Sequence, residues 1–261
     1  MTTMPVVVGA DGSADSLNAV EWAAREARRH GAPLRIVSAP ATSAPATSAP
    51  AMPALGAAVT RAEEVAPDLL IDTDLLPAAP PALAVTDSGS GALMLVVGAR
   101  GAGGFAAMVL GSVSRYAAMH ARCPVIVVRQ ETSAVHREVA VGIRDPHDTT
   151  GTLAFAFEEA ALRGATLVAV HSADPGRVSA EASRNLTEVL NRWRDKYPAV
   201  PVRQDVVRGH PARVLASYSA RADLVVIGRH DGPGAGSAIG AVQHAVLSHA
   251  RGPVAVIPSA G

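Results

Sequence analysis

Gly98-Ala99-Arg100-Gly101 follows directly on the apolar run Leu93–Val97, and nine residues separate Gly101 from Gly111-Ser112-Val113. Glycines at those positions let backbone N–H groups approach a phosphate chain, and Ser112 adds a hydroxyl donor where a helix would begin. The chemistry such a loop serves is the binding of nucleotide phosphates. A second short motif, Gly9-Ala10-Asp11, closes the run Val6-Val7-Val8. A glycine-rich loop between a strand and a helix also occurs for purely steric reasons, so the elements around it must decide.

Those elements come twice. Pro5–Ser13 aligns with Glu138–Pro146, placing Gly9 on Gly142, and the alignment continues without a gap through His30-Gly31-Ala32 on Arg163-Gly164-Ala165. Later, Leu95–Gly98 falls on Val225–Gly228, and Cys123–Val128 on Gly252–Ile257. Self-similarity at so steady a spacing means two copies of one domain of about 130 residues. We place the domains at residues 1–130 and 137–261, joined by Gln130–His136.

Within each copy, short Val/Ile/Leu-rich runs alternate with segments of helical apolar spacing, such as Leu17, Val20, Ala23, Ala24 and Ala27. These are βα units. Val125–Val128 and Leu224–Ile227 lack polar alternation, as strands covered on both faces do. Each copy therefore reads as an open, doubly wound parallel sheet of about five strands, whose ligands bind beyond the carboxyl ends of the strands. Gly9-Ala10-Asp11 and Gly98–Gly101 both lie at such ends, and they converge on one crevice. The stretch Pro40–Pro53 repeats Ala-Thr-Ser-Ala-Pro and reads as a flexible surface loop or a segment for docking or modification at Thr42, Ser43, Thr47 and Ser48. A short helix, about Ala57–Val65, is expected after it, against a longer partner over Ser179–Trp193.

Composition narrows the function classes. The chain has 261 residues, 49% of them hydrophobic, which excludes wholesale disorder. Lys plus Arg and Asp plus Glu both number 23, so no electrostatic funnel for nucleic acid or anionic lipid is expected. We see no membrane-spanning run and no secretory signal, and the lone Cys123 offers neither an internal disulfide nor a thiolate zinc site. A cytoplasmic protein with Cys123 packed in its core is expected.

Val7–Ser13, the pattern Gly98-x2-Gly101-x9-Gly111-Ser112-Val113-Ser114, and the closing Ala121–Val128 together resemble the universal stress protein family, in tandem form and over essentially the whole chain. The resemblance implies two tandem five-stranded parallel sheets of strand order 3-2-1-4-5, adenine nucleotide alpha hydrolase-like and related by a pseudo-two-fold. It implies ATP, with or without Mg2+, as the ligand, and it leaves a homodimer beyond the intrachain pairing of the two domains open. Carried onto this chain, Gly9, Ala10 and Asp11 line the base, with Ala39 beside adenine. Asp11 reads equally as a turn or helix-capping residue. Gly98, Ala99 and Gly101 pass under the ribose and phosphates, Gly103 and Gly104 lend the loop freedom, and Gly111, Ser112 and Val113 bind the terminal phosphates. Arg100 is either a phosphate clamp or a solvated loop charge. Met108 stands where family members often carry a basic residue.

The second copy departs from the pattern. Asp231 replaces the second glycine, Ala241 the serine and Arg144 the aspartate, and Pro233 stiffens the loop, so nucleotide binding is expected in the first copy alone. Asp145, His147, His230 and Asp231 read as solvated residues in preference to a metal site. The expected function is a non-enzymatic, nucleotide-responsive regulator of stress tolerance that acts on a protein partner not identified by sequence. A nucleotide-independent scaffold and a slow ATPase are the alternatives, the latter lacking a positioned general base or a Walker-type lysine.

Overall fold

The computed structural model describes residues 3–39, 51–77, 79–101, 110–129, 135–144, 150–173, 180–229 and 240–259. The chain divides into two compact units, Met1–Glu131 and Thr132–Gly261.

In the first unit, β1 (Val6–Gly9) pairs in parallel with β2 (Leu34–Ser38) on one side and with β4 (Met94–Gly98) on the other. β3 (Ile71–Leu75) adds to β2, and β5 (Val125–Val128) to β4, which gives the order 3-2-1-4-5. Helices α1 (Ala14–His30), α2 (Ala51–Val65), α3 (Pro81–Ser88) and α4 (Ser112–His120) make the crossovers. Val6, Val8, Leu34, Ile36, Met94 and Leu95 are fully buried, as the unalternating apolar runs require. At the outer edge, β3 instead exposes Asp72, Thr73 and Asp74, and charges there oppose pairing with another strand.

The second unit repeats this plan. β6 (Glu138–Gly142) lies between β7 (Thr166–Ala173) and β9 (Leu224–Gly228), with β8 (Val202–Arg208) beyond β7 and β10 (Val254–Ile257) beyond β9, all parallel. Its helices are α5 (Thr150–Arg163), α6 (Ala180–Lys196), α7 (Pro211–Tyr218) and α8 (Ala241–His249). The repeat extends to backbone detail: α1 ends at Gly31 with φ 60° and α5 at Gly164 with φ 57°, left-handed values that glycine adopts without a Cβ penalty.

The two units fill their cores differently. The buried apolar residues of α1 are Ala19, Val20, Ala23, Ala24 and Ala27, small side chains that let the helix sit close on the sheet. On α5 the fully buried Phe157 stacks against Trp193 and Tyr197 of the α6 region, with centroids 5.7 and 5.5 Å away, and the Lys196 ammonium lies 5.4 Å from the Trp193 ring. On β8, Arg203 binds Glu138 at 2.7 Å and Asp205 at 3.2 Å, while the Tyr218 hydroxyl donates to Asp205 at 2.6 Å. Burial and that carboxylate push the Tyr218 phenol up to about 12.

Two expectations need correction. The helix expected near Ala57 begins at Ala51, so Met52 and Pro53 belong to its first turn and not to the preceding loop. Proline is tolerated there because its missing N–H would have no intrahelical partner. The longer partner helix extends past Trp193 to Lys196. Thr42, Ser43, Thr47 and Ser48 lie outside the described residues. Cys123 is buried as expected, and desolvation pushes its thiol up to about 11.

Candidate functional site

The site forms where β1 and β4 end side by side. Past β1, the Ala10 N–H donates to the Val37 carbonyl at 2.8 Å, prolonging the sheet by one step before the chain turns. Asp11 then makes the turn: its Oδ1 accepts from the Ser13 N–H at 3.0 Å, with Gly12 at φ 81°. Of the two local readings of Asp11, the turn residue is the one the geometry shows. The cap of α1 is Ser13, whose Oγ accepts from the Ser16 N–H at 3.2 Å.

Past β4, Gly98 is required by close approach to backbone, and Gly101 lies against the Asp11 side chain. A Cβ on Gly98 would stand 2.7–2.8 Å from the backbone of Asp15 and Ser16, so the first turn of α1 packs on bare backbone. A Cβ on Gly101 would stand 2.5 Å from Asp11 Oδ2. The two motifs therefore meet in space, Asp11 facing Gly101 across the crevice. Ser13 Oγ adds a long contact of 3.5 Å to the Arg100 carbonyl.

Arg100 is an exposed charge, and it has a partner. Asp15 Oδ2 accepts from its backbone N–H and from its Nε, each at 3.1 Å, and this partner raises the guanidinium pKa above its ordinary value. A second guanidinium, the half-buried Arg129 just beyond β5, has its pKa lowered by desolvation and by the charge of Arg100. The crevice thus has two neighbouring cations, one of them paired with Asp15, and the Asp11 carboxylate across from Gly101. Neither Asp15 nor Arg129 was singled out by sequence. Asp15 reads as an ordinary acidic residue in a first helical turn, and Arg129 as a strand-end charge.

The buried Ala99 closes the base of the loop. Its carbonyl accepts from the Gly111 N–H at 2.7 Å and from Ser114 Oγ at 3.0 Å, and its N–H donates to the Val128 carbonyl at 2.7 Å. Gly111 is the N-cap of α4 and supplies no side-chain cap, and no acidic residue lies in the first turn, which exposed Ser112 and half-buried Val113 open. The helix start keeps its partial positive charge. Half-buried Ala39 follows β2, two residues past the Gly9–Val37 pair. Gly103, Gly104 and Met108 lie outside the described residues.

The second unit closes the same place with its own side chains. Gln243, at the position of Ser114, donates from Nε2 to the Gly228 carbonyl at 2.7 Å and accepts the Gly240 N–H on Oε1 at 3.1 Å. Its carboxamide stands between strand end and helix start, which in the first unit bond directly. His171 Nδ1 lies 3.0 Å from the Ile143 carbonyl, and Ser172 Oγ donates to Gly209 at 2.7 Å. Arg144 is exposed at the position of Asp11, and Ala241 opens α8 without a hydroxyl. Asp145, His147, His230, Asp231 and Pro233 lie outside the described residues.

Fold and site define a tandem α/β protein with a glycine-lined crevice at the strand-order switch of its first unit. The sequence profile of the universal stress protein family matches residues 2–129 and again 136–258, and the chain belongs to that family. A universal stress protein of Mycobacterium tuberculosis is 36% identical over 283 residues, covering 96% of this chain and 96% of that protein. One from Mycolicibacterium smegmatis is 33% identical, covering 98% and 97%. Among solved structures, a universal stress protein from Archaeoglobus fulgidus matches with a TM-score of 0.73 at 18% identity, over 99% of both chains, a likeness of fold.

Proposed function

We propose that the first unit binds an adenine nucleotide, ATP with or without Mg2+, and that the chain acts through the nucleotide-dependent state of that crevice and not by catalysis. The observation that carries this reading is the glycine-lined strand end beside the uncapped start of α4, with Gly98 packed bare against the backbone of Asp15 and Ser16. Backbone is thereby bared at the point where a ligand would cross from the β1 loop to the start of α4. The donor set fits a phosphate chain: an open helix start, the Ser112 hydroxyl and the guanidinium groups of Arg100 and Arg129.

The two carboxylates of the crevice, Asp11 and Asp15, are engaged with the Ser13 N–H and with Arg100, which favours binding over general-base chemistry. Nucleotide occupancy regulates only by favouring one arrangement of these loops over another, read by a protein partner in the cytoplasm. No helix among the described residues is long and apolar enough to cross a membrane. In the second unit, Ala241 opens α8 without the hydroxyl of Ser112 and Arg144 stands at the position of Asp11, so one nucleotide per chain is expected.

Calorimetry with ATP on the full chain tests the reading. We expect one site, lost in Gly101→Asp with the circular dichroism spectrum unchanged. Absence of heat from the wild-type chain at millimolar ATP, with and without Mg2+, overturns it.

A further inference from the structure

From the second unit we infer a separate anion-binding groove, between α7 and α8, that takes a small molecule bearing a phosphoryl group at each end of an uncharged body. The groove has a volume of about 810 Å³, within the range of small-molecule sites. Its charged or titratable lining is basic throughout: His210 and Arg213 from the start of α7, His249 and Arg251 from the end of α8 and just beyond. Its floor is alanine, Ala212 and Ala216 on one side and Ala245 on the other.

Both helices are crossovers between parallel strands, so they run the same way, and the two basic pairs stand at opposite ends of a groove about 12 Å long, the length of eight helical residues. Positive ends and a flat apolar middle match two separated phosphoryl groups better than one compact anion. Among the described residues, no carboxylate is paired with Arg213 or Arg251. The cleft beside Arg25 and Arg29 in the first unit differs, since Glu21 and Glu26 pair with those guanidinium groups.

At the far end the backbone is tied to α7 and one ring is oriented. The Arg251 N–H donates to Ser219 Oγ at 2.8 Å, which ties the far end to the close of α7. His249 Nδ1 lies 2.8 Å from the Ala245 carbonyl, which orients the ring at the groove's far end. At the near end α7 has no side-chain cap on its N-terminus, so its partial positive charge adds to His210 and Arg213.

The groove does not follow from the fold alone. The same helices of the first unit carry Leu83 for Arg213, Asp87 for Ser217 and Tyr116 for Ala245. There the Tyr116 ring lies 4.3 Å from that of His120, over the space Ala245 leaves open.

The test is calorimetry on the full chain with fructose 1,6-bisphosphate, with and without saturating ATP. We expect one site that ATP does not displace, and binding weaker by about tenfold or more for fructose 6-phosphate and for inorganic phosphate. Arg213→Leu should weaken it about tenfold, and Ala245→Tyr, which copies the first unit, should abolish it. Both variants should keep the wild-type circular dichroism spectrum and ATP heat. Absence of binding, binding unchanged in both variants, or competition by ATP overturns the inference. Tripolyphosphate binding as tightly as the bisphosphate overturns it too, because charge alone would then suffice.

Discussion

Asp15 Oδ2 receives both the backbone N–H and the Nε of Arg100, each at 3.1 Å, across the junction of the first helix and the glycine loop. One carboxylate therefore holds the loop and restrains the cation best placed to meet a phosphate. Asp15→Asn should remove a repelling charge and release the guanidinium, raising ATP affinity several-fold while costing about 1 kcal/mol of stability. Calorimetry and urea unfolding read the two effects separately. Lower ATP affinity in this variant would show that Asp15 supports the ligand and does not compete with it.

Gly98 and Gly228 occupy equivalent strand ends but meet different neighbours. A Cβ at 98 meets helix backbone at 2.7–2.8 Å, whereas one at 228 meets the Thr152 hydroxyl at 2.8 Å, which can rotate away. Gly98→Ala should destabilise by about 2–3 kcal/mol and Gly228→Ala by about 1 kcal/mol or less. Equal losses in chemical denaturation would contradict this account.

Gln243→Ala should leave the Gly228 carbonyl and the Gly240 N–H without their partner, at a cost of about 2 kcal/mol. Hydrogen exchange at Gly240 should quicken in the variant. Unchanged exchange would mean the carboxamide does not hold that helix start.

Cys123 should resist iodoacetamide at about pH 8 in the folded chain and react on unfolding, since the thiolate is the nucleophile. Its folded pKa of about 11 lies above the ordinary 9.0, so its contribution to stability is full below pH 9 and lost as pH rises towards 11, by roughly 2–3 kcal/mol. Urea midpoints at about pH 8 and about pH 10.5 should fall further for the wild type than for Cys123→Ala. Parallel curves would exclude the thiol as the cause.

Much of the first crevice is legible before any coordinates. Strand ends announce themselves as apolar runs stopped by glycine, and parallel topology obliges Asp11 and Gly101 to lie on the same edge of the sheet. Side-chain pairings across that edge are not legible, because they depend on angles that spacing does not encode. Asp15 looks like a routine first-turn acid until its reach to Arg100 is seen. Gln243 looks like an interior helix residue, although it bridges Gly228 and Gly240. Pro53 misled in the opposite sense: it reads as a breaker, and it sits in the one turn of a helix that accepts it.

The stack of Phe157, Trp193 and Tyr197 has a spectroscopic consequence. The chain has two tryptophans, Trp22 in the first unit and Trp193 in the second, so each unit carries its own fluorophore. Trp193 lies among two rings and an ammonium group, and its emission should change when α6 leaves α5. With Trp22→Phe and Trp193→Phe as complementary single-reporter chains, ligand effects and unfolding become separable signals. The two copies of the repeated fold can then be followed independently in one cuvette.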